Sequence, residues 1–162
     1  MNSSYSGAVS AGRPFRQRPV RDCALTLLER CDRTASEMRR KLRERGYSED
    51  DIENTMIFLE EYRYIDDREY VRRYIRAYSA RKSISRLRGE LAQKGILREL
   101  IDEAFEENPV DEDSQISYWL RKKGYVSGQE LPPDQYRRLT AFLARRGYPY
   151  EAVRRVMAQL EE

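Results

Sequence analysis

A six-residue pattern that ends one residue past a glycine occurs three times in this 162-residue chain. The copies are Leu42-Arg43-Glu44-Arg45-Gly46-Tyr47, Leu91-Ala92-Gln93-Lys94-Gly95-Ile96 and Leu143-Ala144-Arg145-Arg146-Gly147-Tyr148. The glycines stand 49 and 52 residues apart, each preceded by a basic residue and followed by Tyr or Ile. Glycine adopts positive φ cheaply, a basic side chain suits the negative end of a helix, and the next apolar residue packs back. Each copy therefore predicts a helix, a sharp turn and a second helix. A period near 50 residues means apolar faces buried against neighbouring units rather than in one thick core. Composition agrees: 40% apolar and 36% charged residues can line helix seams but not a large globular centre. The expected fold is all-α, three tandem three-helix repeats forming an elongated, curved array.

The helix pairs show themselves by capping and period. After Gly46, Ser48 with Asp51 three residues later makes a capping-box-like start, followed by Ile52, Met56 and Leu59 at helical spacing. Leu97, Ile101, Ala104 and Phe105 repeat the arrangement after Gly95, as do Val153, Val156, Met157 and Leu160 after Gly147. A further helix precedes each pair: Val20, Cys23, Ala24, Leu27, Leu28 and Cys31 in the first copy, Tyr70, Val71, Tyr74, Ile75 and Tyr78 in the second, and a shorter Ile116, Trp119, Leu120 in the third. Thr34 with Glu37, and Asp66 with Glu69, supply two more capping starts, so the acid pair Asp66 and Asp67 reads as capping rather than as metal ligands. The divisions expected are a disordered N-terminal arm at 1–18, repeat 1 at 19–64, repeat 2 at 65–108 and repeat 3 at 109–162, with the longest internal loop from Gly124 to Pro133.

Several chemistries are excluded. Without histidine there is no Ser–His or Cys–His nucleophile pair and no common zinc ligand. Cys23 and Cys31, eight apart on one predicted helical face, are too far apart for a disulfide and read as small core residues. No Gly-x-Gly or Gly-Lys-Ser/Thr phosphate cradle occurs. The expectation is a non-enzymatic protein with no cofactor and no metal. No run approaches the roughly 20 apolar residues of a membrane span, which points to a cytoplasmic protein.

Charge supplies the candidate site. The net charge of +3 hides a separation along the chain. Residues 68–88 hold eight bases, Arg68, Arg72, Arg73, Arg76, Arg81, Lys82, Arg86 and Arg88, against one acid, Glu69. Residues 99–113 hold eight acids and no base, which predicts a segregated, dipolar surface. In the third copy Arg121, Lys122, Lys123, Arg137, Arg138, Arg145 and Arg146 gather around the helix–turn–helix. Such faces suit phosphates or an acidic protein surface. Any single arginine is more often solvated or in a weak exposed pair. Most of the 12 tyrosines fall at helical core spacing and read as core or rim.

The run Tyr64-Ile65-Asp66-Asp67-Arg68-Glu69-Tyr70, followed by Arg86-Leu87-Arg88-Gly89-Glu90-Leu91-Ala92-Gln93-Lys94-Gly95-Ile96, resembles the central signature of the RecX recombination regulators. Residues 34–42 resemble their first repeat and residues 142–148 their third, so the likeness extends from about residue 20 to the end. The resemblance implies a partner in the RecA–single-stranded DNA filament and an activity that limits filament growth, strand exchange and ATP turnover in DNA recombination, repair and the SOS response. The partner expectation further includes weak direct DNA contact by a monomer. Residues expected to bind recombinase or DNA are Arg68, Arg72, Arg73, Arg76, Arg81, Lys82, Arg86, Arg88, Lys94, Arg121, Lys122, Lys123, Arg145 and Arg146. One departure stands out: Arg81-Lys82-Ser83-Ile84-Ser85 lacks the glycine that the family usually carries before the second basic helix, so the two helices either meet differently or run closer to continuous. Two other readings stay open, a direct DNA-binding module with helix–turn–helix pairs in a groove, and a plain scaffold.

Overall fold

The computed structural model describes residues 18–125, 128 and 130–160, and among these every regular element is an α-helix. The order is α1 (Val20–Arg30), α2 (Ala35–Glu44), α3 (Glu49–Glu61), α4 (Asp67–Tyr78), α5 (Ile84–Gln93), α6 (Arg98–Glu107), α7 (Glu112–Lys122), α8 (Pro133–Arg145) and α9 (Tyr150–Gln159). Apart from Arg18, the expected disordered arm lies outside the described residues.

Three separate apolar clusters hold the helices in threes. Ala24, Leu27, Met38, Leu42, Ile52, Met56 and Leu59 pack α1–α3, with Ile65 closing the set. Val71, Ile75, Leu91, Ile96, Ile101 and Ala104 pack α4–α6. Ile116, Leu120, Leu143, Val153, Val156 and Met157 pack α7–α9, together with Tyr125 and Tyr148. Each fully buried Leu, Ile or Met contributes about 1.5–3 kcal/mol, so each trio has its own small core. Among the described residues, substantial helix–helix packing occurs only within a trio.

Local rules set the ends. Thr34 closes a full capping box with Glu37, Ser48 accepts from the Asp51 amide, and Asp66 accepts from the Glu69 amide at 2.9 Å. Gly46, Gly95 and Gly147 have φ of 80°, 77° and 90°, and the amides of Tyr47, Ile96 and Tyr148 donate back to Leu42, Leu91 and Leu143. A fourth such turn ends α7: Gly124 has φ 83° and the Tyr125 amide donates to Leu120 at 3.0 Å. Leu120-Arg121-Lys122-Lys123-Gly124-Tyr125 is the same sequence pattern, here opening the segment expected only as a loop.

Three expectations change. Cys31 is exposed in extended backbone just beyond α1, because the helix stops at Arg30. Leu97 is 66% exposed at the N-cap of α6, leaving Ile101 and Ala104 to face the core. The α4–α5 connection is a true break without glycine: Ser79 stays right-handed and Ser83 restarts the chain as an N-cap at ψ 158°, which settles the question against a continuous helix.

The trios join through a repeated polar junction. The Thr34 hydroxyl donates to the Lys94 carbonyl at 2.6 Å, and the Ser83 hydroxyl donates to the Arg146 carbonyl at 2.8 Å. Next to each, the first amide of the helix donates to a carboxylate of the following trio, Ala35 to Asp67 at 2.8 Å and Ile84 to Glu112 at 2.7 Å. Thr34 and Ser83 are both fully buried. Each hydroxyl accepts a capping bond from its own helix while satisfying an orphan carbonyl at the end of another. Glycine is required where this approach is closest. A Cβ on Gly95 would lie 2.2 Å from Ser36 Oγ, and one on Gly147 2.5 Å from Ser83 Oγ.

Candidate functional site

The separation of charge along the sequence does not survive folding. Helix α6 carries the acids and packs directly on α4, so Arg68 pairs with Glu103, Arg72 with Glu107 through two bonds of 2.6 and 2.8 Å, and Arg88 on α5 with Asp102. Most of the remaining bases of the second trio are also engaged. Arg73 meets Asp32 at 3.0 Å, Arg76 meets Glu69 at 3.1 Å, and Lys94 meets Glu37 at 3.1 Å. Lys82 and Arg86 converge on Glu90 at 2.6 and 3.1 Å. Burial pushes the Glu90 carboxyl up, but the bonds from Lys82, Tyr74 and Arg86 outweigh it and hold the group at about 2. Burial and the bond to Glu90 push the Tyr74 hydroxyl up. The Tyr70–Tyr74–Tyr78 stripe forms a wall beneath Lys82 and Lys94, whose ammonium groups lie 4.2 Å from the Tyr78 ring and 5.6 Å from the Tyr70 ring. The expected dipolar surface is therefore a neutralised one, and among the described residues only Arg81 of the second trio's candidate bases has no carboxylate partner.

Uncommitted positive charge sits on the third trio. Among the described residues, Arg121, Arg138 and Arg145 are exposed and have no carboxylate partner, whereas Arg137 pairs with Asp134 and Arg155 with Asp113 at 2.6 Å. Lys122 donates to the Tyr118 hydroxyl at 3.3 Å, and Lys123 lies 4.5 Å above the Phe142 ring. The Arg146 guanidinium lies 3.7 Å above the Trp119 ring and 4.8 Å from that of Phe142. Lys123, Arg138 and Arg145 line one open cleft of about 640 Å³ between the end of α7 and α8, with Leu131, Leu139 and Phe142 as its apolar side. Helices α7 and α8 both end in αL turns, at Gly124 and Gly147, and Lys123 and Arg145 at those ends line the same cleft. The structure thus spreads the expected binding residues over two trios with different fates. Those of α4 and α5 face partners within the protein, and those of α7 and α8 face solvent or an aromatic ring.

Models of the RecX family match the chain in three consecutive pieces: the first three-helix domain over residues 21–59, the second over 66–104 and the third over 111–157. The chain belongs to the RecX family. The regulatory protein RecX of Vibrio vulnificus (strain CMCP6) is 33% identical over 136 residues, covering 83% of this chain and 88% of the relative. That of Pseudomonas putida (strain GB-1) is 33% identical over 141 residues, covering 86% and 89%. The crystal structure of RecX from Lactobacillus salivarius superposes with a TM-score of 0.73 at 20% identity, covering 88% of this chain and 94% of that one, which establishes the shared fold. This RecX protein is accordingly a regulatory protein of tandem helical repeats. No helix among its described residues is long and apolar enough to cross a membrane, and these residues hold no cluster of three or more metal-ligating side chains.

Sequence reasoning missed the junction residues Thr34 and Ser83 and the aromatic setting of Arg146. The hydroxyls carried a readable capping signal, but their second bond reaches 60 and 63 residues away. The adjacent aromatics Tyr118 and Trp119, which break the apolar period of α7, were the available sign that one ring there faces outward. Tyr118 is 51% exposed, as are Tyr62, Tyr64 and Tyr150 to similar degrees, whereas Tyr125 and Tyr148 are buried and Tyr47, Tyr70, Tyr74 and Tyr136 half-buried.

Proposed function

We propose that this RecX protein binds a RecA-type recombinase filament on single-stranded DNA through the basic face of its third trio, and thereby limits filament growth, strand exchange and ATP hydrolysis. The observation that carries the proposal is the contrast in pairing: among the described residues Lys123, Arg138 and Arg145 have no carboxylate of their own, while the bases of α4 do. A polyanionic partner gains most where no internal pair must first be broken, and binding to phosphates releases counterions. The pairs of the second trio are largely exposed, each worth about 0–1 kcal/mol, so that face contributes secondarily by exchanging partners. Membership of a family of regulatory proteins supports the same reading.

The test compares two triple reversals, Lys123, Arg138 and Arg145 to Glu against Arg72, Arg73 and Arg76 to Glu, in inhibition of recombinase ATP hydrolysis on single-stranded DNA. The first reversal is expected to weaken inhibition at least tenfold, by about 1.4 kcal/mol or more, and the second to leave most of it. The opposite order would return the site to α4. Tight, sequence-selective duplex binding without recombinase would support a direct DNA-binding module instead.

A further inference from the structure

A second recess lies between the second and third trios, distinct from the cleft beside α8. It is a groove of about 850 Å³ between the α4–α5 turn and α7, within the size range of small-ligand sites. Tyr118 and Trp119 form its aromatic wall, edge to face at 5.3 Å between centroids and 75° between planes. Arg146 also lines the groove, its guanidinium 3.7 Å above the Trp119 ring, and Lys122, at the rim, lies 5.5 and 5.1 Å from the Tyr118 and Trp119 ring centroids. Arg81 stands on the α4–α5 turn side, exposed and, among the described residues, without a carboxylate partner. Pro109 and Val110 supply the apolar remainder.

The polar groups of the groove divide sharply into spent and available. Asp111, its one carboxylate, accepts from the Ser114 amide and hydroxyl at 2.9 and 2.6 Å and caps α7, so its charge is directed into the helix. Gln115 donates to the Ser79 carbonyl at 2.5 Å and accepts from the Tyr148 hydroxyl at 2.7 Å, so the floor is fixed by the fold. What remains for a ligand is the exposed Tyr118 ring, an indole edge and the cations Arg81 and Arg146, with Lys122 beside the two rings at the rim. A flat π-system bearing a negative group fits that set. An acidic peptide would use the cations and leave the aromatic wall idle, and a duplex would hold its bases out of reach.

We propose that this groove is a stacking site for one unpaired nucleotide of a single strand, the base lying on Tyr118 beside Trp119 and its phosphate held by Arg81 and Lys122. Because the side-chain amide of the floor is already engaged, the site takes bases without reading them. The inference rests on the single-stranded nucleic-acid partner proposed above and assigns to it a place that the charge pattern alone did not. The α4–α5 turn and α7 belong to different trios, so an occupied groove also bridges the junction held by Ser83 and Glu112.

Trp119 is the single tryptophan of the chain, which makes its emission a local reporter. The full chain is titrated with an oligothymidylate, with an abasic strand of the same length and with polyglutamate, following emission and the anisotropy of a labelled strand. Saturable quenching is expected with oligothymidylate alone. Tyr118→Ala is expected to weaken oligothymidylate binding by roughly tenfold or more, in line with the loss of one stacked base, and Tyr118→Phe to keep it within about twofold. Arg81→Glu is expected to weaken both strands. Equal quenching by the abasic strand or by polyglutamate, or unchanged oligothymidylate binding in Tyr118→Ala, would overturn the stacking site. Filament inhibition measured on Tyr118→Ala separates the two proposals: full inhibition together with unchanged strand binding removes the groove and leaves the filament reading standing.

Discussion

Replacing Gly95 by alanine, beside the same change at Gly46, isolates what the junction between the first two trios is worth. Both glycines are left-handed, at φ 77° and 80°, so an alanine at either costs about 1–2 kcal/mol in backbone strain. At Gly46 nothing lies within 4 Å of the added Cβ, and strain is the whole cost. At Gly95 the Cβ would sit 2.2 Å from Ser36 Oγ and 2.3 Å from Ser36 Cβ, so the second trio must move off the first helix of the α2–α3 pair. That overpacking costs about 1–3 kcal/mol. The movement also stretches the bond from the Thr34 hydroxyl to the Lys94 carbonyl, worth about 1 kcal/mol. Gly95→Ala is therefore expected to cost roughly 3–6 kcal/mol against about 1–2 for Gly46→Ala.

Urea titration followed by far-ultraviolet circular dichroism measures both. In a chain of this length each kcal/mol also lowers the thermal midpoint by about 2–4 °C. Weakening one junction in a repeat array lets its parts melt separately, so Gly95→Ala is expected to broaden or split the transition while Gly46→Ala only shifts it. Ser36→Gly in the Gly95→Ala background restores space and should recover the overpacking share, read as a positive coupling in the double-mutant cycle. Equal costs for the two alanines, or no coupling with Ser36, would refute the docking of the Gly95 turn on α2.

Three further expectations follow from the same geometry. Ser83→Ala removes a cap and leaves the half-buried Arg146 carbonyl without its donor, which should cost about 2–4 kcal/mol and speed amide exchange at the α8–α9 turn; a cost below 1 would show that the junction bond is replaceable. The Asp67 carboxyl is pushed up by burial although it accepts from the Ala35 amide, so Asp67→Asn should stay within about 1 kcal/mol of the parent while Asp67→Ala costs about 1–3. Because its folded value is raised, the ionised form is a liability, and the parent should gain on Asp67→Asn as pH falls, with the reverse trend in urea midpoints counting against burial as the cause. Glu90 runs the other way: its folded value of about 2 lies below the ordinary glutamate value near ~4.3, so its contribution is complete above that value and drains as pH falls toward 2. Acid titration of Glu90→Gln should therefore show a shallower loss of stability between about pH 5 and 2 than the parent does.

Interactions between residues close in sequence were legible without the fold. The 3.6-residue period of Ile52, Met56 and Leu59 and the caps at Thr34, Ser48 and Asp66 each depend on atoms within a few positions of one another. So do the glycine turns, and even the overlooked one at Gly124 was written in the same pattern. The family signature at residues 64–70 and 86–96 came from that local record as well.

Which charges remain free was not legible. Arg68 and Glu103 stand 35 positions apart, as do Arg72 and Glu107, and only the packing of α6 on α4 makes them partners. The reading of a basic second repeat beside a separate acidic helix followed correctly from the order of residues and failed because Coulomb interactions act across space rather than along the chain. The same holds for the Thr34 and Ser83 hydroxyls, whose junction bonds span 60 and 63 positions, and for the groove where Arg81 meets Tyr118. The sequence by itself determined nine helices among the described residues, their grouping in threes and the family. Tertiary structure alone decided how the trios dock and which cations a partner can reach, because both depend on distances that no spacing in the sequence encodes.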